Sequence, residues 1–319
     1  MASTLPSGAR PLVIAHRGAS GYLPEHTLES AAYAHALGAD YIEQDVVLTK
    51  DDVLVVIHDI HLETTTDVAT RHPGRQRADG RFYVIDFTWE ELRALKVNER
   101  VHPKTGQPVF PLRFPATGGG FRLCTFEEQV SLIQGLNRST GRTAGIYVEF
   151  KQPAWHATEG KDLGAALLAS LDRLGYRRAD DPVFVQCFDR EALLRLRAVH
   201  GTALPLIQLI GEDREDDGVY EAMITPAGLA DLATFAQGIG PALGRILTGA
   251  DAAGRPVFSS LVGDAHAVGL KVHPYTFRTD ALPPGVPSIN ALLTALIVGA
   301  GVDGLFIDQP DAALRFLAK

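Results

Sequence analysis

Four apolar runs in this chain each finish on a pair of residues able to move protons or hold ions. LVIAH ends on His16 with Arg17 after it, and YIEQDVV carries Glu43 and Asp45. VLVVIH ends on His58 before Asp59, and GIYVEFK carries Glu149 and Lys151. One such pair is ordinary. Four in corresponding places exceed what packing explains, because Asp, Glu and Lys are rarely buried without partners. Glu43 and Asp45 are two positions apart, so on a strand both point to one face. With Glu149 beside them from a neighbouring strand, three carboxylates raise each other's pKa. A divalent cation relieves that repulsion, and an all-oxygen donor set selects Mg2+, Ca2+ or Mn2+ over zinc or copper. The bland alternative is a ring of salt bridges with Arg17 and Lys151.

A lone histidine after an apolar run is usually a hydrogen-bonded core residue. His16 and His58 at matching run ends, beside Arg17 and Asp59, read instead as an acid–base pair that titrates near neutrality. Arg17 should favour a neutral His16 and Asp59 a protonated His58, which makes His16 the expected base and His58 the expected acid. Arg17 and Lys151 supply positive charge for an anion, and the planar fork of Arg suits phosphate. A cation, two histidines and two fixed positive charges together point to phosphoryl transfer.

Something must bring these run ends together. Strand candidates fall at 12–16, 41–47, 53–58, 145–150, 183–188, 204–210, 238–242, 271–277 and 304–308. Helical stretches at 27–37, 161–174, 190–199 and 290–298 separate many of them, the pattern of parallel βαβ units. The runs are apolar throughout rather than alternating, as in a sheet covered on both faces. The predicted fold is a (β/α)8 TIM barrel, whose active site lies at the carboxyl ends of the strands. Nine candidates compete for eight places, and the link from Asp45 to Val53 is too short for a crossover helix. One early unit must be irregular, or one late candidate lies outside the barrel. Residues 67–123, rich in Arg, Gly and Pro with one amphipathic piece WEELRALK, break the rhythm and read as an inserted subdomain. The expected organisation is a barrel domain from 1–66 and 124–319 with the insertion between them. The insertion is expected to shape the headgroup end of the pocket without supplying a catalytic group.

Composition excludes several classes. Over 319 residues, 46% are hydrophobic and 21% charged, which argues against disorder, collagen and coiled coil. The net charge of −8, with Arg71, Arg75, Arg77 and Arg81 as the only basic cluster, argues against nucleic acid as a partner. No run approaches the roughly 18 apolar residues of a membrane span, so no stable membrane insertion is expected. MASTLPSGAR holds no apolar signal core; the compartment is open between cytoplasmic and, with a leader removed, periplasmic or secreted. Cys124 and Cys187 lie in apolar runs and read as buried free thiols.

The run AHRGASGYLPEHTLES, with GADYIEQDVVLTKDDVLVVIHD after it, resembles the glycerophosphodiester phosphodiesterase family, marked by HRG, then ExD, then HD. The likeness continues through YVEFK, VQCFD, PLIQLI, HPYTFR and GVDGLFIDQPD, almost the whole chain, and the long insertion resembles the bacterial periplasmic type. It implies a barrel, one divalent cation (Ca2+ or Mg2+), and hydrolysis of small glycerophosphodiesters to glycerol 3-phosphate and an alcohol. It implies Glu43, Asp45 and Glu149 as metal ligands, His16 and His58 as the acid–base pair, and Arg17 and Lys151 on the phosphate. Two other readings stand beside it: a related barrel enzyme converting lysophospholipids to a cyclic phosphate, and a non-catalytic binding protein on the same fold. The closing motif departs from the family's usual Thr-Asp-Phe-Pro, reading Ile307, Asp308, Gln309, Pro310, so a polar Gln309 is expected in the pocket wall.

Gln186, Phe188 and Tyr275 complete the expected substrate contacts, although either aromatic serves equally well as core. Glu25 either favours the following helix N-terminus or touches the site. His26, His35 and His61 read as surface or helix residues, Trp89 as packing within the insertion, and His273 as a barrel-interior candidate weakened by Pro274.

Overall fold

The computed structural model describes residues 10–116, 119–212 and 218–318. Strands β1 (Leu12–Ala15), β2 (Tyr41–Leu48), β3 (Leu54–Val56), β4 (Gly145–Phe150), β5 (Val183–Cys187), β6 (Leu206–Ile210) and β7 (Gly238–Pro241) come first. They are followed by β8 (Leu247–Ala250), β9 (Pro256–Phe258), β10 (Lys271–Val272) and β11 (Gly304–Ile307). Eight of these run parallel in the order β10-β7-β6-β5-β4-β2-β1-β11. A parallel bridge between Phe277 and Ile307, with the Phe277 N–H donating to the Phe306 carbonyl at 2.8 Å, joins the two ends and closes the barrel.

The ninth strand candidate is β3, which folds back antiparallel on β2 with Val46 opposite Val56. Thr49 makes this hairpin tight: its hydroxyl accepts from the Val53 N–H at 2.9 Å, and Asp52 turns the chain at φ 62°. The short link is thus a turn, and the irregular unit lies in the first sixty residues. The antiparallel pair β8–β9 was not legible as strands and stands outside the barrel at the carboxyl end of β7.

Helix ends follow local chemistry. Thr27 caps the helix Leu28–Leu37 by accepting from the Ser30 N–H, and Gly38 ends it at φ 106°. Thr125 and Glu128 form a reciprocal capping box on Phe126–Thr140. The final long element begins as a helix at Ile289–Leu293 and widens into a π-helix over Thr294–Ala300.

Inside the barrel Ile14, Tyr147, Phe184, Ile207 and Phe306 fill the floor below the site. Tyr147 stacks on Phe184 at 4.9 Å, and its hydroxyl lies 3.0 Å from His273 Nδ1, which places His273 in the interior despite Pro274. Residues 67–123 bring Val68, Phe82, Phe87, Leu92, Leu95 and Val97 to a core of their own, sealed onto Val47, Val55 and Ile57 of the β2–β3 hairpin, with Trp89 packed against it. Both cysteines are free and buried.

Candidate active site

The HRG turn is where β1 hands over to the site. Arg17 adopts φ 57° and Gly18 φ 81°. A side chain at Gly18 would meet Ser30 Oγ at 2.6 Å, so only glycine allows the turn to approach the helix. That turn aims the Arg17 N–H at Glu43 Oε2, 2.7 Å away. Gln186 donates to Glu43 Oε1 at 3.1 Å.

Glu43, Asp45 and Glu149 come together from β2 and β4, each buried, with one oxygen of each within 4.8 Å of the others. Burial first, then Asp45 and Glu149, push the Glu43 carboxyl well above its ordinary range. Burial and Asp45 push Glu149 up to about 7, although Lys151 donates to it at 2.5 Å. Burial raises Asp45 too, but Lys151 and His26 outweigh it and hold Asp45 well below the usual carboxylate range. Asp45 Oδ2 lies 2.6 Å from His26 Nε2, while Oδ1 is buried with no hydrogen-bond partner. Three oxygens, one without a partner, in mutual repulsion and out of water suit a hard divalent cation. Salt bridges alone do not satisfy them, since Lys151 Nζ is 3.9 Å from Asp45 Oδ1, Arg17 Nε is 3.8 Å from Asp45 Oδ2 without a hydrogen bond, and Arg17 Nη1 is spent on Glu25.

The two histidines are held in the same way from opposite sides. His16 Nδ1 lies 2.6 Å from Asp308 Oδ1, and Arg113 donates to Asp308 Oδ2 at 2.6 Å. His58 Nδ1 lies 2.6 Å from Asp59 Oδ1, and Arg100 donates to Asp59 Oδ2 at 2.6 Å. The expected contrast between them is absent. Burial and Arg17 lower His16 to about 4; burial, Arg17 and Lys151 lower His58 to about 3. Asp59 does not hold His58 protonated, because burial, Arg17 and Lys151, whose Nζ stands 3.4 Å from its Nε2, together outweigh it. His16 Nε2 instead faces Glu43 Oε2 at 3.9 Å.

Sequence reasoning missed the residues behind this pair. Arg100 and Arg113 come from the insertion, and Arg278 adds a third contact to Asp308 at 2.8 Å. Glu25 caps nothing: it is clamped between Arg17 and Arg100, and those arginines hold its carboxyl far below the usual range against the cost of burial. His26 is not a surface residue but is buried against Asp45; its position before the Thr27 cap concealed this. His35 is in the helix as read but buried, 3.0 Å from Asn137. Gln309 does not form the pocket wall. It is buried and braces the loop at Thr279 and Asp280.

Above the carboxylates opens a cavity of about 1020 Å³, lined at one end by His16, Arg17, Glu43, His58, Glu149, Gln186, Phe188 and Tyr275. Phe188 and Tyr275 meet edge to face at 5.9 Å, and the Tyr275 hydroxyl is spent on the Ile210 carbonyl at 3.1 Å. Among the described residues, the rest of the wall comes from Leu209, Glu212, Phe306 and the stretches 242–256 and 276–295, not from 67–123. The insertion turns its arginines inwards onto Asp59 and Asp308 and lies behind the histidines.

The chain is similar to known proteins in sequence and in fold. The profile of the glycerophosphoryl diester phosphodiesterase family matches residues 16–312, and the chain belongs to that family. A glycerophosphodiester phosphodiesterase of Haemophilus influenzae is 41% identical, with 96% of this chain and 89% of that protein covered. One from Treponema pallidum is 38% identical, covering 97% and 92%. Among solved structures, an Oleispira antarctica phosphodiesterase in complex with its product sn-glycerol-3-phosphate superposes with a TM-score of 0.66 at 22% identity, over 97% of both chains.

Proposed function

We propose that this protein hydrolyses glycerophosphodiesters such as glycerophosphocholine and glycerophosphoethanolamine to glycerol 3-phosphate and an alcohol, with one Ca2+ or Mg2+ held by Glu43, Asp45 and Glu149. The observation that carries this reading is the pair of aspartate-backed histidines flanking three crowded carboxylates at the carboxyl end of the barrel. A cation held by these residues would polarise a phosphate oxygen and offset part of the negative charge that the phosphoryl group develops. Arg17 is suited to the phosphate because its Nε is buried without a partner while Nη1 is fixed on Glu25. Lys151 keeps one N–H donor beyond those directed at Glu149 and His58. Gln186 holds Glu43, and Phe188 and Tyr275 wall the substrate's carbon skeleton.

Each histidine gives its Nδ1 proton to an aspartate and so presents a lone pair at Nε2. His16 acts as base, because Asp308 on its Nδ1 stabilises the imidazolium formed when it takes the proton of the attacking hydroxyl. His58 acts as acid, because Lys151 beside its Nε2 favours release of a proton to the leaving alkoxide. A phosphodiester anion between Arg17 and Lys151 offsets the cations that keep His58 neutral and raises its pKa on binding. We also take residues 67–123 as an inserted subdomain of the barrel domain formed by 1–66 and 124–319. Incubating the protein with glycerophosphocholine and Ca2+ or Mg2+ tests the proposal: release of glycerol 3-phosphate and choline supports it, a cyclic phosphate end product favours the related phosphodiesterase that stops at a cyclic phosphate, and no turnover refutes it.

A further inference from the structure

The catalytic groups occupy only one end of the cavity. Its volume, about 1020 Å³, lies at the top of the range of roughly 300–1,000 Å³ that buries drug-sized ligands, far more than a small diester fills. The far wall is apolar: Leu243, Leu247, Leu282, Pro283, Val286 and Leu292 line it. The segment 281–295, ALPPGVPSINALLTA, contains no Asp, Glu, Lys or Arg. Among the described residues, the charged groups in the lining beyond the catalytic end are Glu212 and Arg278, and Arg278 is committed to Asp308. A wall of this kind offers little to a small polar headgroup.

The wall is also built rather than loose. Leu247 and Phe258 of the β8–β9 hairpin and Leu282 and Val286 of the facing loop pack on the main core. The π-helical turn brings Gly299 so close to Phe258 that a Cβ there would meet the ring at 2.9 Å. Apolar side chains held open beside a polar reaction centre mark a ligand groove. Its continuity with the proposed active site identifies the occupant as part of the substrate.

We propose that this annex takes an unbranched acyl or alkyl chain, so that chain-bearing glycerophosphodiesters are better substrates than glycerophosphocholine. The inference rests on the hydrolase reading given above. The chain has two possible sources, the glycerol carbon of a lysophospholipid or the alcohol of an alkyl ester, and both present the same apolar group to the wall.

The test measures kcat/KM below micelle-forming concentrations for three substrate types. These are glycerophosphocholine, its 1-hexanoyl and 1-octanoyl derivatives, and glycerophosphohexanol and glycerophospho-octanol. A fully buried methylene is worth about fourfold, and a half-exposed groove about half that, so one series should rise roughly twofold per methylene. The series that rises identifies where the chain is attached. Leu282→Asp and Val286→Asp, checked for native thermal unfolding, should flatten the rise, measured as the ratio of octyl- to hexyl-substrate kcat/KM. Turnover of glycerophosphocholine with no rise in either series overturns this inference and leaves the hydrolase reading intact. A rise that both Asp variants retain overturns the assignment to this wall. No turnover of any diester overturns the hydrolase reading itself.

Discussion

Asp308→Asn tests most directly how the histidines are prepared for proton transfer. Asp308 Oδ1 faces His16 Nδ1 at 2.6 Å, while Arg113 and Arg278 both donate to Oδ2, at 2.6 and 2.8 Å. Asparagine keeps the shape. Two arginine donors at the Oδ2 position select the amide oxygen there, which leaves the NH2 facing His16. A donor opposite Nδ1 makes that nitrogen an acceptor and moves the imidazole proton to Nε2, the atom that must receive a proton. The base is then lost without loss of the ring, and kcat should fall by about 10²–10⁴. Stability should fall far less. Arg113 keeps its bidentate contact with Asp280, at 2.8 and 3.0 Å, so no cation is left buried alone. The cost is about 1–3 kcal/mol, inside the margin of about 5–15 kcal/mol of a typical domain.

The pH dependence separates this mechanism from a simple pKa change. The Asp308 charge raises the His16 pKa, which burial and Arg17 still hold at about 4. Removing the charge lowers it further, so the histidine stays neutral across the neutral range and no change of pH there restores the rate. The assay is kcat on an alkyl diester from mildly acid to mildly alkaline pH, with thermal unfolding on the same samples. A folded Asp308→Asn protein that keeps most of its kcat refutes the reasoning, and so does recovery at higher pH. Arg113→Met, which leaves Asp308 with Arg278, should give a smaller loss in the same direction.

Three other outcomes follow from the same structure. Chelation should abolish turnover and Ca2+ or Mg2+ restore it, and Glu43→Gln should weaken cation binding measured by calorimetry with the fold retained; full activity in excess chelator would sink the metal assignment. Glu99 is buried with Oε2 unpartnered, and burial followed by Glu25 pushes its carboxyl up to about 7. Its folded pKa exceeds the unfolded value of about 4.3, so its favourable contribution is complete below that value and is lost as pH rises to 7. Glu99→Gln should therefore leave acid stability alone and add up to about 1–3 kcal/mol at pH 8, seen as a raised urea midpoint; an equal shift at both pH values contradicts this. On a diester with a p-nitrophenolate leaving group, which departs without a proton, His58→Ala should regain most of its activity and His16→Ala should not; the opposite pattern exchanges the two roles.

The strands and the carboxylates were legible because parallel strands buried on both faces read as unbroken apolar runs, and a polar residue at such an end must face the mouth. The same continuity made β3 ambiguous, since an apolar run carries no mark of whether its neighbour is parallel or antiparallel. The β8–β9 hairpin was hidden by its composition: its first strand reads LTGA, without alternation or β-branched runs. Asp308 lay in plain view at the end of GLFID, but its bond to His16 spans almost the entire chain and only barrel closure creates it. His26 was misread, and Glu25 was left open between two readings, because the helix cap beside them offered a sufficient local explanation for polar residues there.

The insertion was expected to shape the pocket, and its position behind the histidines gives it a different part. Asp308 is a buried carboxylate and Asp59 a half-buried one, and each needs compensation to remain charged beside a neutral imidazole. The barrel supplies part of it at Asp308 through Arg278, which lines the cavity. Arg100 and Arg113, which are not among the residues lining the cavity, supply the rest: each donates to one aspartate, and Arg100 at the same time fixes Glu25, which holds Arg17. Their placement depends on the apolar core of 67–123, sealed to the β2–β3 hairpin next to His58. The same hairpin that spoils the regular barrel count is therefore the seat on which the insertion is mounted. The orientation of both histidines and the Arg17 guanidinium are thereby tied to the folding of a segment that lines none of the described cavity.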